Sequence, residues 1–283
     1  MKRNSIKISV SFALAVLSVA GCGNDNFDKP DYYTLDASTA SGQKIVDASQ
    51  GYITHVKQDK MKNVSEGIAL LEMSYLNSKG HSMNLFVYSV ALDNATVIAS
   101  TAKGETGLQK LSGQAIDVEN AGKYTVYGAV SAGKEIGTTD SFFAVLKDGS
   151  AVCLPSGKYE EYKSEIVSGV ATQYQLLTDG YLLGQTDSKL EARSAVGVSD
   201  DGSLYLMVVD GGDYYYSNGV TCDDMAVLMK ACGADNAAVL TSGAEVTAVW
   251  RDEKSESVLV PLNKPSNKGL EAEIARGVII VQQ

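Results

Sequence analysis

Two residues in the C-terminal half have the types and spacing to do chemistry together. Arg193 opens the apolar run Ser194-Ala-Val-Gly-Val198, and Asp210 closes the run Leu204-Tyr-Leu-Met-Val-Val209. Between the runs lies Asp200-Asp-Gly-Ser203. Asp-Gly is a strong two-residue hairpin signal, because both central residues of a type I′ turn need positive φ. With Asp201 and Gly202 as that central pair, Asp200 pairs with Ser203 and Arg193 falls directly opposite Asp210. Cross-strand partners sit close enough for their charges to meet. A guanidinium fork suits a phosphate with two free oxygens. A carboxylate at a strand end, beside Gly211 and Gly212, approaches a ligand closely. It can serve as nucleophile or base in glycoside cleavage, which uses two carboxylates. The plainer alternatives are a surface ion pair for Arg193 and, for Asp210, a turn residue that satisfies backbone N–H groups.

A second group of candidates follows. Thr221-Cys-Asp-Asp224 has the form of a capping box, with Thr221 as N-cap and Asp224 three positions on. Met225, Leu228, Met229 and Cys232 then fall at helical spacing, and Gly233 suits the position after the helix. Ser217, Gly219 and Thr221 therefore precede a helix N-terminus, whose amides favour an anion such as phosphate. Asp223 and Asp224 compete for the same dipole, and a simple helix cap is the alternative. Tyr214-Tyr215-Tyr216 stands just before this stretch. Tyrosines stack on sugar faces, or they pack over a sheet edge.

The elements that must position these residues are mostly strands. Gly67 to Leu76 and Met83 to Leu92 flank Asn77-Ser-Lys-Gly80 and predict a long hairpin. Thr96 to Thr101 and Tyr124 to Val130 predict further strands, with a weak helix from Leu108 to Ala121 between them. Residues 142–154 predict a second hairpin around Asp148-Gly149, and the charged stretch from Ser156 to Glu165 a solvated loop or helix. Ala237 to Leu240 is a short buried strand, Glu245 to Trp250 and Ser257 to Pro261 a hairpin, and Gly277 to Val281 a last strand. The order implies an α+β fold with mostly antiparallel or mixed sheets and a few packing helices.

Taken together, the C-terminal segments resemble the phosphodiester glycosidase family. That family reads R-[ST]-A-[IV]-G, a D-G turn, V-V-D-G-R, S-x-G-[MV]-T, a helix and then N-L-D-G-G-G-S. Here Arg193, Asp210 and the Ser217, Gly219, Thr221 block match in order. Asn263-Lys-Pro-Ser-Asn267 is similar to the family's N-x-P-S-D. The last acidic turn is replaced: Thr241 stands at its Asp, and Ser242, Gly243 and Ala244 stand at its glycines. Gly212 stands where the family has Arg, and the family's N-G-[DG]-F-F loop has no counterpart that keeps its Asn. Thr241 cannot ionise, so Glu245 is the remaining nearby acid able to swing in. The resemblance implies a ligand among sugar phosphodiesters or glycans, bound at Ser217, Gly219, Thr221, Thr241, Ser242 and Gly243. It implies catalysis, where it survives, by Arg193, Asp210 and Glu245. The missing acid points to weakened or lost hydrolysis, and a non-catalytic surface glycan-binding module is the alternative.

The rest of the chain bounds this reading. Lys2, Arg3 and Lys7 precede an apolar run from Ile8 to Ala20, and Leu17-Ser-Val-Ala-Gly-Cys22 matches a bacterial lipobox. The expectation is a signal peptide over 1–21, lipid attachment at Cys22, a flexible tether to residue 40 and a domain over 41–283. The chain would then sit in the bacterial cell envelope, anchored to the outer membrane by lipid alone. An ordinary signal peptide with a chance cysteine is the alternative. Loss of 1–21 takes three of 24 basic residues and leaves 21 against 34 acidic, a formal charge of −13. Such acidity argues against nucleic acid as a partner. Cys153, Cys222 and Cys232 are an odd set, and the last two sit about 15 Å apart along one helix, too far to bridge. His55 and His81 are the only histidines, so no metal site is expected, and no cofactor is implied.

Overall fold

The computed structural model describes residues 34–138, 140–255 and 258–283. The signal segment, Cys22 and most of the expected tether lie outside the described residues. The fold is α+β, and its named strands pair antiparallel throughout.

The larger sheet has eight strands. Across it run β1 (Ile53–Ser65), β2 (Ile68–Asn77), β3 (Ser82–Ala91), β13 (Ser203–Val209), β12 (Arg193–Val198), β14 (Asn236–Ser242), β10 (Tyr174–Thr178) and β11 (Tyr181–Leu182). A five-stranded sheet follows the order β16 (Leu259–Pro261), β15 (Ala248–Arg251), β6 (Thr125–Ala132), β18 (Arg276–Gln282) and β4 (Thr96–Ala99). Two small sheets complete the set. One is β8 (Ala151–Leu154), β7 (Ser141–Leu146) and β9 (Ile166–Thr172), and the other β17 (Glu273–Ile274) with β5 (Gln109–Lys110). The helices are α1 (Ala40–Ala48), α2 (Leu111–Asn120), α3 (Tyr159–Tyr162) and α4 (Cys222–Cys232).

Three cores explain the layering. On one face of the large sheet, Ala195, Met207, Val209 and Val239 pack under α1 and α4 with Ile45, Met225 and Leu228. On the other face, Val196, Leu206, Val208 and Leu240 meet Val130, Ala248 and Ile280 of the second sheet. The far side of that sheet is closed by Leu111 and Ala115 of α2. Strand β12 is therefore buried on both faces along its whole length, which is why it reads as a continuous small-apolar run rather than an alternating one.

Most expected elements are present, including both early hairpins, the terminal strand and the capping box at Thr221 with Asp224. Gly233 closes α4 at φ 110°. All three described cysteines are buried and free. Strand β1 carries no clear signal because it is an edge strand: Ile-Thr-His-Val-Lys-Gln-Asp-Lys-Met-Lys-Asn-Val-Ser exposes much of its length. The chain is already anchored ahead of residue 41. Thr34 bridges Val56, and Asp59 of β1 accepts four hydrogen bonds of 2.5–2.7 Å from the amides and hydroxyls of Ser38 and Thr39.

The Asp201-Gly202 turn departs from expectation. Only Gly202 has positive φ, 83°, and Ser199 N–H donates to Ser203 O at 3.0 Å. The connection thus has three residues, Asp200 to Gly202, with glycine at the left-handed position. Asp201 stabilises this form by accepting from Ser203 N at 3.0 Å and from Ser199 Oγ at 2.5 Å. The extra residue moves the register by one, so Arg193 pairs with Val209 and not with Asp210. Since successive side chains alternate between faces, that single step separates the two candidate groups.

Candidate functional site

The ends of β13 and β14 and the start of β12 converge at one end of the large sheet. Every candidate site residue in the C-terminal half lies there, but in two separate settings.

Arg193 is fully buried on the helix side of the sheet. Its Nε donates to Val220 O at 3.0 Å, just ahead of α4. Nη2 donates to Asp187 Oδ2 at 3.0 Å and to Lys189 O at 3.1 Å, and lies 3.3 Å from Glu191 Oε1. Nη1 has no hydrogen-bond partner. Asp187 is held below the usual carboxylate range, chiefly by the Lys189 N–H and then by Arg193. The guanidinium is thus closed over by the segment that leads into its own strand. Gly219 makes the closure possible. It sits at φ 95°, and a Cβ there would come within 2.7 Å of the Glu191 backbone, so only glycine lets the two segments lie against each other.

Asp210 occupies the space between the two sheets and is 1% exposed. Its Oδ1 accepts from Asn263 Nδ2 at 2.7 Å and its Oδ2 from Lys264 N at 3.2 Å. Among the described residues no cation forms an ion pair with it. Burial pushes its pKa up to about 6, against the opposing pull of Asn263 and Lys264 N–H. The Tyr216 hydroxyl beside it is also pushed up, first by burial and then by the Asp210 charge. A carboxyl poised near neutrality can hold or release a proton, the requirement for acid–base work. Its hydrogen-bond partners include no second acid.

The predicted anion subsite is internally satisfied. Ser217 Oγ donates to Asp210 O at 2.7 Å and accepts from Asn84 N at 3.1 Å. Thr221 Oγ1 accepts from Asp224 N at 3.1 Å, and Asp223 Oδ1 takes Gln185 N–H at 2.9 Å. The first turn of α4 is capped by its own side chains.

In the altered turn, Thr241 is buried and its Oγ1 donates to Glu245 Oε2 at 3.1 Å. Ser242 lies opposite Arg193 in the ladder, and its Oγ donates to Gln173 Oε1 at 2.9 Å. Gly243 starts a 3₁₀ turn that ends at Glu245. Its N–H donates to Ala192 O at 2.8 Å, and its carbonyl accepts from Ser266 Oγ at 3.0 Å. Glu245 is exposed.

Four residues escaped the sequence reading. Asp187 and Glu191 enclose Arg193, while Asn263 and Lys264 hold Asp210. A signal existed for each pair: two acids four apart directly ahead of the arginine strand, and the Asn-x-Pro-Ser loop already seen as family-like. Among the described residues no three His, Cys, Asp or Glu side chains converge as a metal site.

A family model described as NAGPA, phosphodiester glycosidase, matches residues 88–281, well over half of the chain. The chain belongs to the phosphodiester glycosidase family. The fold agrees. The zebrafish N-acetylglucosamine-1-phosphodiester alpha-N-acetylglucosaminidase catalytic domain, auto-inhibited by its pro-peptide, superposes with a TM-score of 0.57 at 16% identity, over 76% of this chain and 82% of that one. A hypothetical protein from Synechocystis gives 0.57 at 11% identity, over 80% of this chain and 64% of its own length. No curated protein matches by sequence. Within the family segment fall both settings described above, together with the Thr241 to Glu245 turn that replaces the acidic glycine turn.

Proposed function

We propose that this chain is a lipid-anchored protein of the bacterial envelope whose phosphodiester glycosidase domain binds sugar phosphodiesters or related glycans, with weakened or lost hydrolysis. The observation that carries the reading is the state of Thr241. It stands where the family turn has its Asp, it cannot ionise, and its hydroxyl is spent on Glu245 at 3.1 Å. Cleavage of a sugar-1-phosphodiester leans on neutralising the departing phosphate and stabilising an oxocarbenium ion. Arg193, the cation suited to the first task, is sealed by Asp187 and Glu191. Asp210 is left to perform the second alone.

The zebrafish relative's name supplies the probe, an N-acetylglucosamine-1-phosphodiester. Mature protein starting at Cys22 is expected to release sugar from it slowly or not at all. Thr241→Asp restores an acid to the turn and is expected to raise the rate about 100-fold, the usual scale of a positioned acid or base. Ordinary enzymatic turnover by the natural protein, with Thr241→Ala harmless, would remove the claim of weakened catalysis. Anchoring has its own test. Cys22→Ala should move the protein from the membrane fraction to the soluble one, and an unchanged distribution contradicts lipidation at that residue.

The glycan-binding module without catalysis is favoured by one feature, the exposure of Tyr214 and Tyr215 at 62% and 88%. No turnover together with retention on a glycan array decides for it.

A further inference from the structure

Along the inter-sheet face of the large sheet, a row of polar residues crosses three strands and reaches the residue that follows a fourth. Gln58 of β1 pairs with Ser74 of β2, and Ser74 with Asn84 of β3. Asp210 N–H then donates to Asn84 O at 3.1 Å. Much of the rest of this face is apolar and covered by the second sheet. Along the row it opens into two cavities of ≈ 180 and ≈ 280 Å³, which share Gln58, Ser74, Asn84 and Tyr216 as walls. Lys57 and Tyr215 line the outer cavity, and Glu72, Phe86 and Leu262 the inner one.

The tyrosine loop that forms one wall is fixed in place before any ligand arrives. Asn84 Nδ2 donates to Tyr216 O at 2.6 Å, and Asn218 N to Ser82 O at 3.0 Å. Asp213 caps the turn by accepting from Tyr215 N and Tyr216 N at 3.2 Å, and Lys264 Nζ reaches Asp213 at 3.0 Å. His81, Tyr214 and Tyr215 form a chain of edge-to-face rings, 5.7 and 5.4 Å between centroids. A rigid loop that holds aromatic rings in solvent lowers the ordering cost of binding.

We propose that this groove binds a neutral glycan chain, with Tyr215 stacked on a sugar ring and the Gln58 carboxamide reading its hydroxyls, while Ser74, which donates to Asn84 Oδ1, and Asn84, which donates to Tyr216 O, hold the wall in shape. The chemistry selects that class. A sugar offers an apolar C–H face to an aromatic ring and a rim of hydroxyls to a carboxamide. Glu72 and Asp213 beside the groove are paired with Lys62 and Lys264, so the bias against anionic glycans and nucleic acid comes from the chain's formal charge of −10. The groove's side chains line a sheet face, and the outer edge of β1 beside it is bridged by Thr34 at Val56, so strand addition by a peptide does not fit it. Two joined cavities suit consecutive sugar units better than one. Lys57, Gln58, Glu72, Ser74 and Asn84 precede residue 88, where the family match begins, while Tyr215, Tyr216 and Leu262 lie within it, so the groove is built across the boundary of the shared segment. The proposal rests on the glycan side of the preceding reading for its ligand class, while its residues are separate from Arg193 and Thr241.

The test uses the mature chain from Cys22 on an array of neutral and anionic glycans, followed by calorimetric titration of the best neutral tetrasaccharide and its monosaccharide. The tetrasaccharide should bind at least tenfold more tightly than the monosaccharide. Tyr215→Ala and Gln58→Ala should each weaken it about tenfold with unchanged circular dichroism and melting temperature, since both side chains are exposed. The proposal fails if no neutral glycan is retained, if anionic glycans bind more tightly, or if both variants bind as well as the natural protein. A parallel titration with the N-acetylglucosamine-1-phosphodiester and Asp210→Asn separates the two readings. Phosphodiester binding without neutral-glycan binding sinks the groove alone. The reverse sinks the phosphodiester reading and leaves the groove standing.

Discussion

Arg193 and Asp210 sit at the ends of neighbouring strands, yet the protein treats their charges in opposite ways. The arginine faces the helix layer, where it is fully buried and meets two carboxylates and two backbone carbonyls. The aspartate faces the second sheet, equally buried, and meets a carboxamide and one N–H, with no cation paired to it among the described residues. A guanidinium cannot shed its proton, so burial obliges the protein to supply counter-charge. A carboxyl can take up a proton, so burial without counter-charge shifts its pKa upward instead. One region therefore stores a fixed ion cluster and the other a titratable group. The difference shows where proton chemistry remains available and where a charge has been committed to holding the fold.

The sharpest way to break the contrast is to strip Arg193 of its counter-charges. Asp187→Asn with Glu191→Gln keeps side-chain shape but leaves a buried cation unpaired. Removing the partners of a buried charge costs about 4 kcal/mol, the largest effect expected in this molecule, and urea unfolding at pH 7 measures it. Adding Arg193→Met to the same variant should recover most of the loss, because an apolar side chain of similar volume needs no counter-charge. A loss below about 1 kcal/mol for the double variant would mean that the cluster behaves like a surface ion pair and does not fix the closed segment.

How far these two settings could be read in advance depended on a single residue of register. The hairpin, the strands around it, the α4 cap and the free cysteines all follow from local patterns, and local patterns are what a sequence displays. Asp201-Gly202 announced a turn correctly but not its length, because Asp201 can take either a left-handed position or, as here, a right-handed one that bonds Ser203 and Ser199. Shifting the count by one carried Arg193 to the other face from Asp210. The partners of each were harder to see. Asp187 and Glu191 come from an irregular exposed segment with no period to follow. Asn263 and Lys264 arrive from a loop more than 50 residues away, and no spacing rule links them to Asp210. Edge strand β1 was missed for a related reason: an edge exposes so much of itself that its alternation is lost, and with it went the floor of the groove.

The second way to sharpen the comparison is to titrate the other member. Folded Asp210 has a pKa of about 6 against 3.8 for the ordinary side chain. Between about pH 4 and pH 6 the folded protein holds a proton that the unfolded chain has released, so stability must fall as pH rises through that window. Two pKa units correspond to about 3 kcal/mol of stability, fully present below about pH 4 and lost by pH 7. Asp59 and Asp187, both held below the usual range, act with the opposite sign and at lower pH, so a wild-type curve alone would mix them. The difference between natural protein and Asp210→Asn cancels those shared terms. Plotted from urea midpoints between pH 3.5 and 7.5, that difference should slope through the pH 4 to 6 window and level off on either side. A flat difference would mean that Asp210 ionises freely where it lies. The contrast with Arg193 would then collapse into two satisfied charges, and Asp210 would hold no proton near neutral pH to give or take.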